Sequence, residues 1–360
     1  MQIISDRRAL HRIPELELQL PKTMEYLRNS LQGLGCRVFS PTAQSLCAYF
    51  DFGADKTVAF RADCDALPIC ENTGAEYAST HPGVMHACGH DCHMAVLLEL
   101  ARRLGSKKEN KNNILLIFQP GEESPGGAKP ICDSGVLADY QVKAIFGLHV
   151  WPGLAKGEIF TRPNELMSSA TEVTVDIYGK AAHIAKAELG VDATEAAMTF
   201  YQRAYEMERS YAPEVYRLLK FGKFCSGTAR NALSDHCHLE GSLRSFRPEI
   251  FNEMRDRLLA IAKDVEQQFG CTAKLHFSDG YPAVLNDAAL CEKTRAYYQL
   301  LEQPSMTGED FGWYQRFVPG VFFFLGLGDV PSLHNDRFDL DDSVLVKGAE
   351  LFEQLAEVEV

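Results

Sequence analysis

A chain of 360 residues is longer than one hydrophobic core usually organises, so roughly two domains are expected. Hydrophobic residues make up 46% and charged residues 24%, the balance of an ordinary soluble globular protein. The formal charge of −13, with no Lys/Arg cluster to offset it, argues against nucleic acid or an anionic membrane as a partner and suits divalent cations. Eleven scattered cysteines, odd in number, read as reduced thiols of a cytoplasmic protein, any exception being a ligand. The first fifteen residues carry no apolar leader, and no apolar run approaches ~18 residues, so neither export nor a membrane span is expected.

In chain order, residues 7–35 carry helical spacing interrupted at Pro14, with 22–34 as an amphipathic helix. Residues 47–52 and 57–63 are strand candidates around the turn Gly53-Ala54-Asp55-Lys56, a hairpin or adjacent strands. The second delivers Asp63 and Asp65, two apart and so on one side of an extended chain. His86 to His93 then reads HACGHDCH, three histidines, two cysteines and an aspartate opening a helix over 92–104. No second C-x-x-C or H-x3-H pair follows at zinc-finger distance, so a catalytic metal centre that gathers ligands from distant strands fits better than a structural zinc knob. Residues 113–118 form a continuous apolar run, hence a buried strand, ending in QPGEE with Glu122 and Glu123. A helix near 128–134 and a strand over 143–150, with His149 near its end, continue a strand-helix rhythm that predicts an α/β layer with a largely parallel sheet. Asp63, Glu122-Glu123 and His149 all fall at strand ends, where sites form in open α/β sheets.

From about residue 168 the pattern changes. Strands over 171–178, 235–246 and 271–277 alternate on one face, with helices over 192–209 and 248–269, which describes an inserted α+β domain of ferredoxin-like type. A helix over 286–301, a strand over 320–325 and a terminal helix over 341–357 return to the first domain. The expected organisation is 1–167 and 281–360 as a catalytic metal-binding domain, with 168–280 as a lid or dimerisation domain.

Single residues leave alternatives open. Adjacent residues of an extended segment point opposite ways, so one carboxylate of the Glu pair suits a metal and the other a general base; most such pairs are solvated surface. His149 and His334 read as hydrogen-bonded core histidines more readily than as ligands, Cys88 and Cys92 as buried thiols, His86 and His93 as supporting donors, and Asp91 as a helix cap.

RADCDALP (61–68), MHACGHDCH (85–93), FQPGEESPGGA (118–128), GLHV (147–150), MTGEDFGWY (306–314) and LHND (333–336), in this order over nearly the whole chain, resemble the two-metal amidohydrolase and aminoacylase family that includes hippurate hydrolases. The resemblance implies a metallopeptidase-like α/β domain interrupted by a lid, and a metal shell of Cys88, His90, Glu123, His149 and His334. It implies Glu122 as general base and Asp63 as the acid that orients a ligand histidine. In the lid it implies His183 on the oxyanion, and Asn231 and Arg244 on a substrate carboxylate, although Ala181-Ala182 stands where relatives carry Gly-Gly. The blocks PGGAKPICDSG, MTGEDFGWY and SGTARNALSDHCHLEGSLRSF are most similar to the N-acetyldiaminopimelate deacetylase branch, which implies lysine and diaminopimelate biosynthesis.

The expected reaction is metal-assisted hydrolysis of the amide of an N-acyl amino acid, with Glu122 taking the water proton and returning it to the leaving amine. No G-x-S-x-G elbow competes with this. Thiolate and imidazole ligands favour two zinc ions, with manganese, cobalt or nickel as alternatives. The expected partner is a small N-acyl substrate, and strand edges in the inserted domain allow a homodimer. Other readings are a hippurate-type amidohydrolase, a dipeptidase, and a metal-dependent binding protein without turnover.

Overall fold

A computed structural model of the chain describes residues 2–360. The chain forms two compact units. The larger runs to Leu166 and includes Val284–Pro304 and Asp310–Val360; the smaller is Met167–Ala283 with Ser305–Glu309.

In the larger unit the strands are β1 (Arg37–Phe39), β2 (Leu46–Phe50), β3 (Thr57–Asp63), β4 (Asn113–Gln119), β5 (Val142–Trp151), β6 (Ile159–Thr161), β13 (Gln299–Leu300) and β14 (Gly320–Gly326), with β7 (Asn164–Met167) and β12 (Val284–Asn286) paired as a separate ribbon. The main sheet has the order β1-β2-β4-β3-β5-β14-β6-β13. Its centre, β4-β3-β5-β14, is parallel. These four strands are apolar and almost wholly buried, as a sheet covered on both faces requires. Phe322 and Phe323, adjacent on β14, show the two layers. Phe323 joins Phe60 and Phe146 in the core beneath helices α1 (Gln2–His11), α3 (His90–Gly105) and α9 (Leu345–Leu355), while Phe322 packs on Phe311 of the turn Asp310–Arg316, with ring centroids 4.8 Å apart. Shorter helices α2 (Pro21–Ser30), α4 (Ala128–Asp133), α5 (Val136–Asp139) and α8 (Ala288–Lys293) complete the layers. No helix among the described residues is long and apolar enough to cross a membrane.

Two expectations need correction, and one strand was not expected. Residues 47–52 and 57–63 do not form a hairpin: β4 lies between them, antiparallel to β2 and parallel to β3. Asn113, the first residue of β4, occupies the connecting loop, accepting the Phe52 and Ala54 N–H groups and donating to the Ala54 carbonyl. The helix expected over 286–301 stops at Lys293. The Thr294 hydroxyl turns back to the carbonyls of Leu290 and Cys291, and Gln299–Leu300 instead pairs with β6. Strand β9 (Arg217–Ser226) was not foreseen, because its lysines and its mostly exposed residues obscure the alternation.

The smaller unit is a sheet of order β11-β8-β10-β9, with β8 (Ser169–Tyr178), β9, β10 (His236–Ser245) and β11 (Thr272–Phe277) all antiparallel, and with α6 (Ala193–Arg209) and α7 (Pro248–Phe269) as its helices. The chain order β-α-β-β-α-β is that of a ferredoxin-like fold. Val173, Val175, Ile177, Leu219, Leu239 and Leu243 form its core with Phe200, Met254 and Leu258 of the helices. Residues 305–309 belong here, beyond the expected boundary. The Ser168 N–H donates to the carbonyls of Ser305 and Thr307, and its hydroxyl to that of Met306.

Candidate metal centre

The carboxyl ends of β3, β4, β5 and β14 lie along one edge of the parallel sheet, and Asp63, Asp65, Glu122, Glu123 and His149 stand at or just beyond them. Gly89 is the hinge of the arrangement. Its backbone is left-handed (φ 82°), and a Cβ would lie 2.4 Å from a methyl carbon of Val150, so only glycine fits between Cys88 and His90 at the start of α3.

Cys88 Sγ lies 3.4 Å from His149 Nε2. Ligand atoms of Cys88, His90 and His149 fall within 4.8 Å of one another, as do those of Cys88, Glu123 and His334, and those of His90, Glu122 and Glu123. Cys88 is common to the first two groups, so the five expected ligands form one cluster with two halves. His334 Nε2 is 3.0 Å from Glu123 Oε1. Its backbone has φ 63°, unusual for a non-glycine residue, and its N–H donates to the Ala87 carbonyl, which ties this loop to the cysteine's.

Hydrogen bonds set which nitrogens face the cluster. His90 Nδ1 donates to the Asp65 carbonyl at 2.7 Å, and His149 Nδ1 to the Val150 carbonyl at 2.6 Å, so each ring turns its Nε2 inward. His90 Nε2 is buried with no hydrogen-bond partner. A buried imidazole nitrogen without a hydrogen-bond partner, beside a thiol and two carboxylates, is an arrangement that a cation fits. Burial pulls His90 down, but Asp63, Asp65 and Glu123 outweigh it and hold the ring up at about 10; the site favours positive charge. His149 is held well below its ordinary value, by burial first and then by His93 and His90. Burial and then Glu123 and Glu122 push the Cys88 thiol well up, so a bound cation would be what releases its proton. The donor set fits divalent metal ions, one in each half.

His93 stands apart from the ligands although Asp63, His90 and His93 lie close enough to hold an ion. Its Nε2 accepts the Val150 N–H at 3.0 Å, so Nδ1 carries the proton and donates to Asp63 Oδ1 at 2.6 Å. Asp63 was expected to orient a ligand histidine; the ring it bonds is His93, and its nearest approach to His90 Nε2 is 3.8 Å. Burial raises Asp63, but His90, His93 and Arg61 outweigh it and keep it ionised. Arg61 also bonds Gln119 and Asp310, and Asp310 accepts the Gly127 and Ala128 N–H groups, so this buried lattice fixes the loop after β4.

Asp65 is the residue whose duty sequence reasoning missed. Its two carboxylate oxygens accept the N–H of Glu122 at 2.8 Å and of Glu123 at 3.0 Å, aiming both glutamates. The Asp-x-Asp spacing at the end of β3 was the available signal. Asp91 is no cap: α3 begins at His90, and the Asp91 carboxylate accepts from Arg7 Nε at 2.9 Å and His11 Nδ1 at 2.7 Å. His86 and Cys92 are buried, and neither ring nitrogen of His86 is bonded.

His183, Asn231 and Arg244 lie in the smaller unit. His183 and Asn231 are exposed and lie on neighbouring segments, joined by the Ile184 N–H donating to the Asn231 carbonyl. Arg244, on β10, donates to the Met306 carbonyl and the Ser242 hydroxyl.

Residues 59–358 match the model of the peptidase family M20/M25/M40. The chain is 33% identical to an uncharacterised hydrolase of Staphylococcus haemolyticus, covering 98% of this chain and 97% of that one. It is 35% identical to an N-acetyldiaminopimelate deacetylase of Lacticaseibacillus paracasei, over 96% of this chain and 94% of the relative. Among solved structures it is similar to a Bacillus subtilis protein described as a dinuclear metal binding peptidase of the M20 family, with a TM-score of 0.86, 30% identity, and coverage of 99% and 96%.

Proposed function

The chain belongs to the peptidase family M20/M25/M40 and is a metal-dependent hydrolase, and from that premise we propose that it cleaves the amide of an N-acyl amino acid, N-acetyl-LL-2,6-diaminopimelate first, giving LL-2,6-diaminopimelate and acetate. The observation that carries the reading is the buried His90 Nε2, without a hydrogen-bond partner, within a cluster of Cys88, Glu123, His149 and His334 that has Glu122 beside it. The acetyl-diaminopimelate preference rests on several relatives of that name at about 35% identity.

Cys88, His90, Glu123, His149 and His334 hold two divalent ions in this proposal, zinc first given a thiol and three imidazoles, with manganese, cobalt or nickel as the alternatives. Ions bound there would polarise the acyl carbonyl and acidify the attacking water. Glu122 takes the water's proton on its carboxylate and delivers it to the amine nitrogen as the C–N bond breaks. Asp65 holds that carboxylate in place through the backbone, and Asp63, kept anionic, fixes His93 against Val150. His183 is proposed to stabilise the oxyanion, and Asn231 and Arg244 to bind the substrate carboxylate, where a guanidinium offers bidentate geometry. Open edges at β9 and β11 make a homodimer part of the same proposal.

The test is a rate comparison of the metal-loaded protein on N-acetyl-LL-diaminopimelate, N-benzoylglycine and dipeptides. The expected result is a kcat/KM on the first that exceeds the others at least tenfold. Faster cleavage of N-benzoylglycine would move the substrate to the hippurate type, and faster cleavage of dipeptides would overturn N-acyl recognition.

A further inference from the structure

The sheet of the smaller unit packs one face against α6 and α7, and its other face carries a second group of metal-capable side chains. His236 and His238 are two apart on β10 and so project from the same side. The register sets Asp176 of β8 directly opposite His238 on one flank and Cys225 of β9 opposite it on the other. Directly opposed residues share a face, which puts all four on one patch.

Two imidazoles converge there on a single oxygen. His236 Nε2 and His238 Nδ1 each lie 2.8 Å from Asp176 Oδ1, and the three ligand atoms fall within 4.8 Å of one another. Bonds of ~2.1 Å meeting near a right angle set neighbouring ligand atoms about 3 Å apart, so small relaxations suffice to seat an ion. The surroundings hold the pieces in place. Tyr178 stacks on the His236 ring with centroids 4.8 Å apart, and Lys274 Nζ lies 5.5 Å over Tyr178. Glu240 accepts from Lys223 and lies 2.8 Å from His238 Nε2, the arrangement that orients a ligand imidazole from behind. The side chains of His236, His238 and Asp176 are 43%, 27% and 25% exposed, open enough for an ion to enter and for water to complete its shell.

We propose that this face binds one divalent transition-metal ion of the zinc, nickel or copper class through His236, His238 and Asp176, with Cys225 in register as a further soft donor. Binding replaces the imidazole protons that otherwise face Asp176, and it cross-links β8 to β10. None of these residues has a part in the proposed hydrolysis.

The test uses the full chain loaded with its first two metal equivalents, titrated with Ni2+ and separately with Zn2+, and read by equilibrium dialysis with elemental analysis. The parent is expected to take up one further equivalent, which His236→Gln/His238→Gln loses while hydrolysis is unchanged; Asp176→Asn should weaken it at least tenfold. Equal uptake by parent and double variant would overturn the proposal. Imidazole NMR of the parent, which needs no substitution, is the second reading. The added Ni2+ should broaden the His236 and His238 signals first, and broadening confined to other histidines would overturn it.

Discussion

Glu122 and Glu123 are neighbours with different assignments, and Asp65 is the reason both can be met. Each backbone N–H of the pair is held by one oxygen of that carboxylate, so the two side chains start from fixed positions instead of a mobile loop. Glu122→Gln keeps the shape and removes the base. Hydrolysis should fall about 10²- to 10⁴-fold, with metal content by elemental analysis equal to the parent's. A variant that turns over like the parent would remove Glu122 from the chemistry. Asp65→Asn acts on both glutamates through one substitution. Metal affinity should weaken roughly 10- to 100-fold, and kcat should fall even at saturating metal, a combination that loss of a ligand alone would not give. Dialysis against graded chelator with parallel kinetics reads both quantities.

At the scale of elements, the turn into α3 carries the site. Gly89→Ala would place a methyl group in left-handed backbone and against Val150, with a strain of about 1 to 2 kcal/mol for the conformation alone and more from the contact. Urea unfolding should show that loss, and metal uptake should fall with it, because Cys88 and His90 flank the hinge. A stable, fully loaded alanine variant would show that the turn does not depend on glycine. The other end of the same assembly is α1, pinned to α3 by Arg7 and His11 on Asp91. Burial pulls His11 down, but Asp91 and Glu71 outweigh it and hold the ring up at about 9, above its ordinary 6.5. A raised value means the protonated ring stabilises the fold. That contribution, on the order of 3 kcal/mol, is complete below about 6.5 and is lost as pH rises through about 9. Glu71 is the mirror case: burial raises it, His11, Thr73 and the Ser79 N–H outweigh that, and its value of about 2 makes its share complete above about 4.5 and lost as pH falls toward 2. His11→Gln should therefore flatten the alkaline fall in melting temperature between pH 6.5 and 9.5 that the parent shows. An unchanged alkaline limb would mean that His11 is not charged in the fold.

Across the whole molecule, what could be read from sequence follows how local its cause is. The α/β layer was legible because β3, β4, β5 and β14 are unbroken apolar runs, and Glu123 and His149 drew attention because they stand near the ends of β4 and β5. The inserted unit announced itself where the runs gave way to alternation at β8 and β10. What escaped depends on partners far away in the chain. Nothing local to residues 47–63 tells that β4 will separate β2 from β3, since the strand that does so, and Asn113 that bonds their loop, lie about fifty residues on. The Asp-x-Asp spacing marks Asp65 as placed at a strand end, but its partners, the amides 57 and 58 positions later, are not local to it. Residues 305–309 likewise join the smaller unit through bonds to Ser168 and Arg244, both more than 60 positions away.

Anomalous scattering from crystals of the zinc-loaded protein, collected on both sides of the zinc edge, bears most directly on the metal centre. Two peaks are expected at the edge of the parallel sheet, one bonded to Cys88, His90 and His149 and the other to Glu123 and His334, with Cys88 within reach of both. Zinc found elsewhere in the larger unit, or His90 Nε2 left without an ion in fully loaded crystals, would contradict the assignment of those five residues.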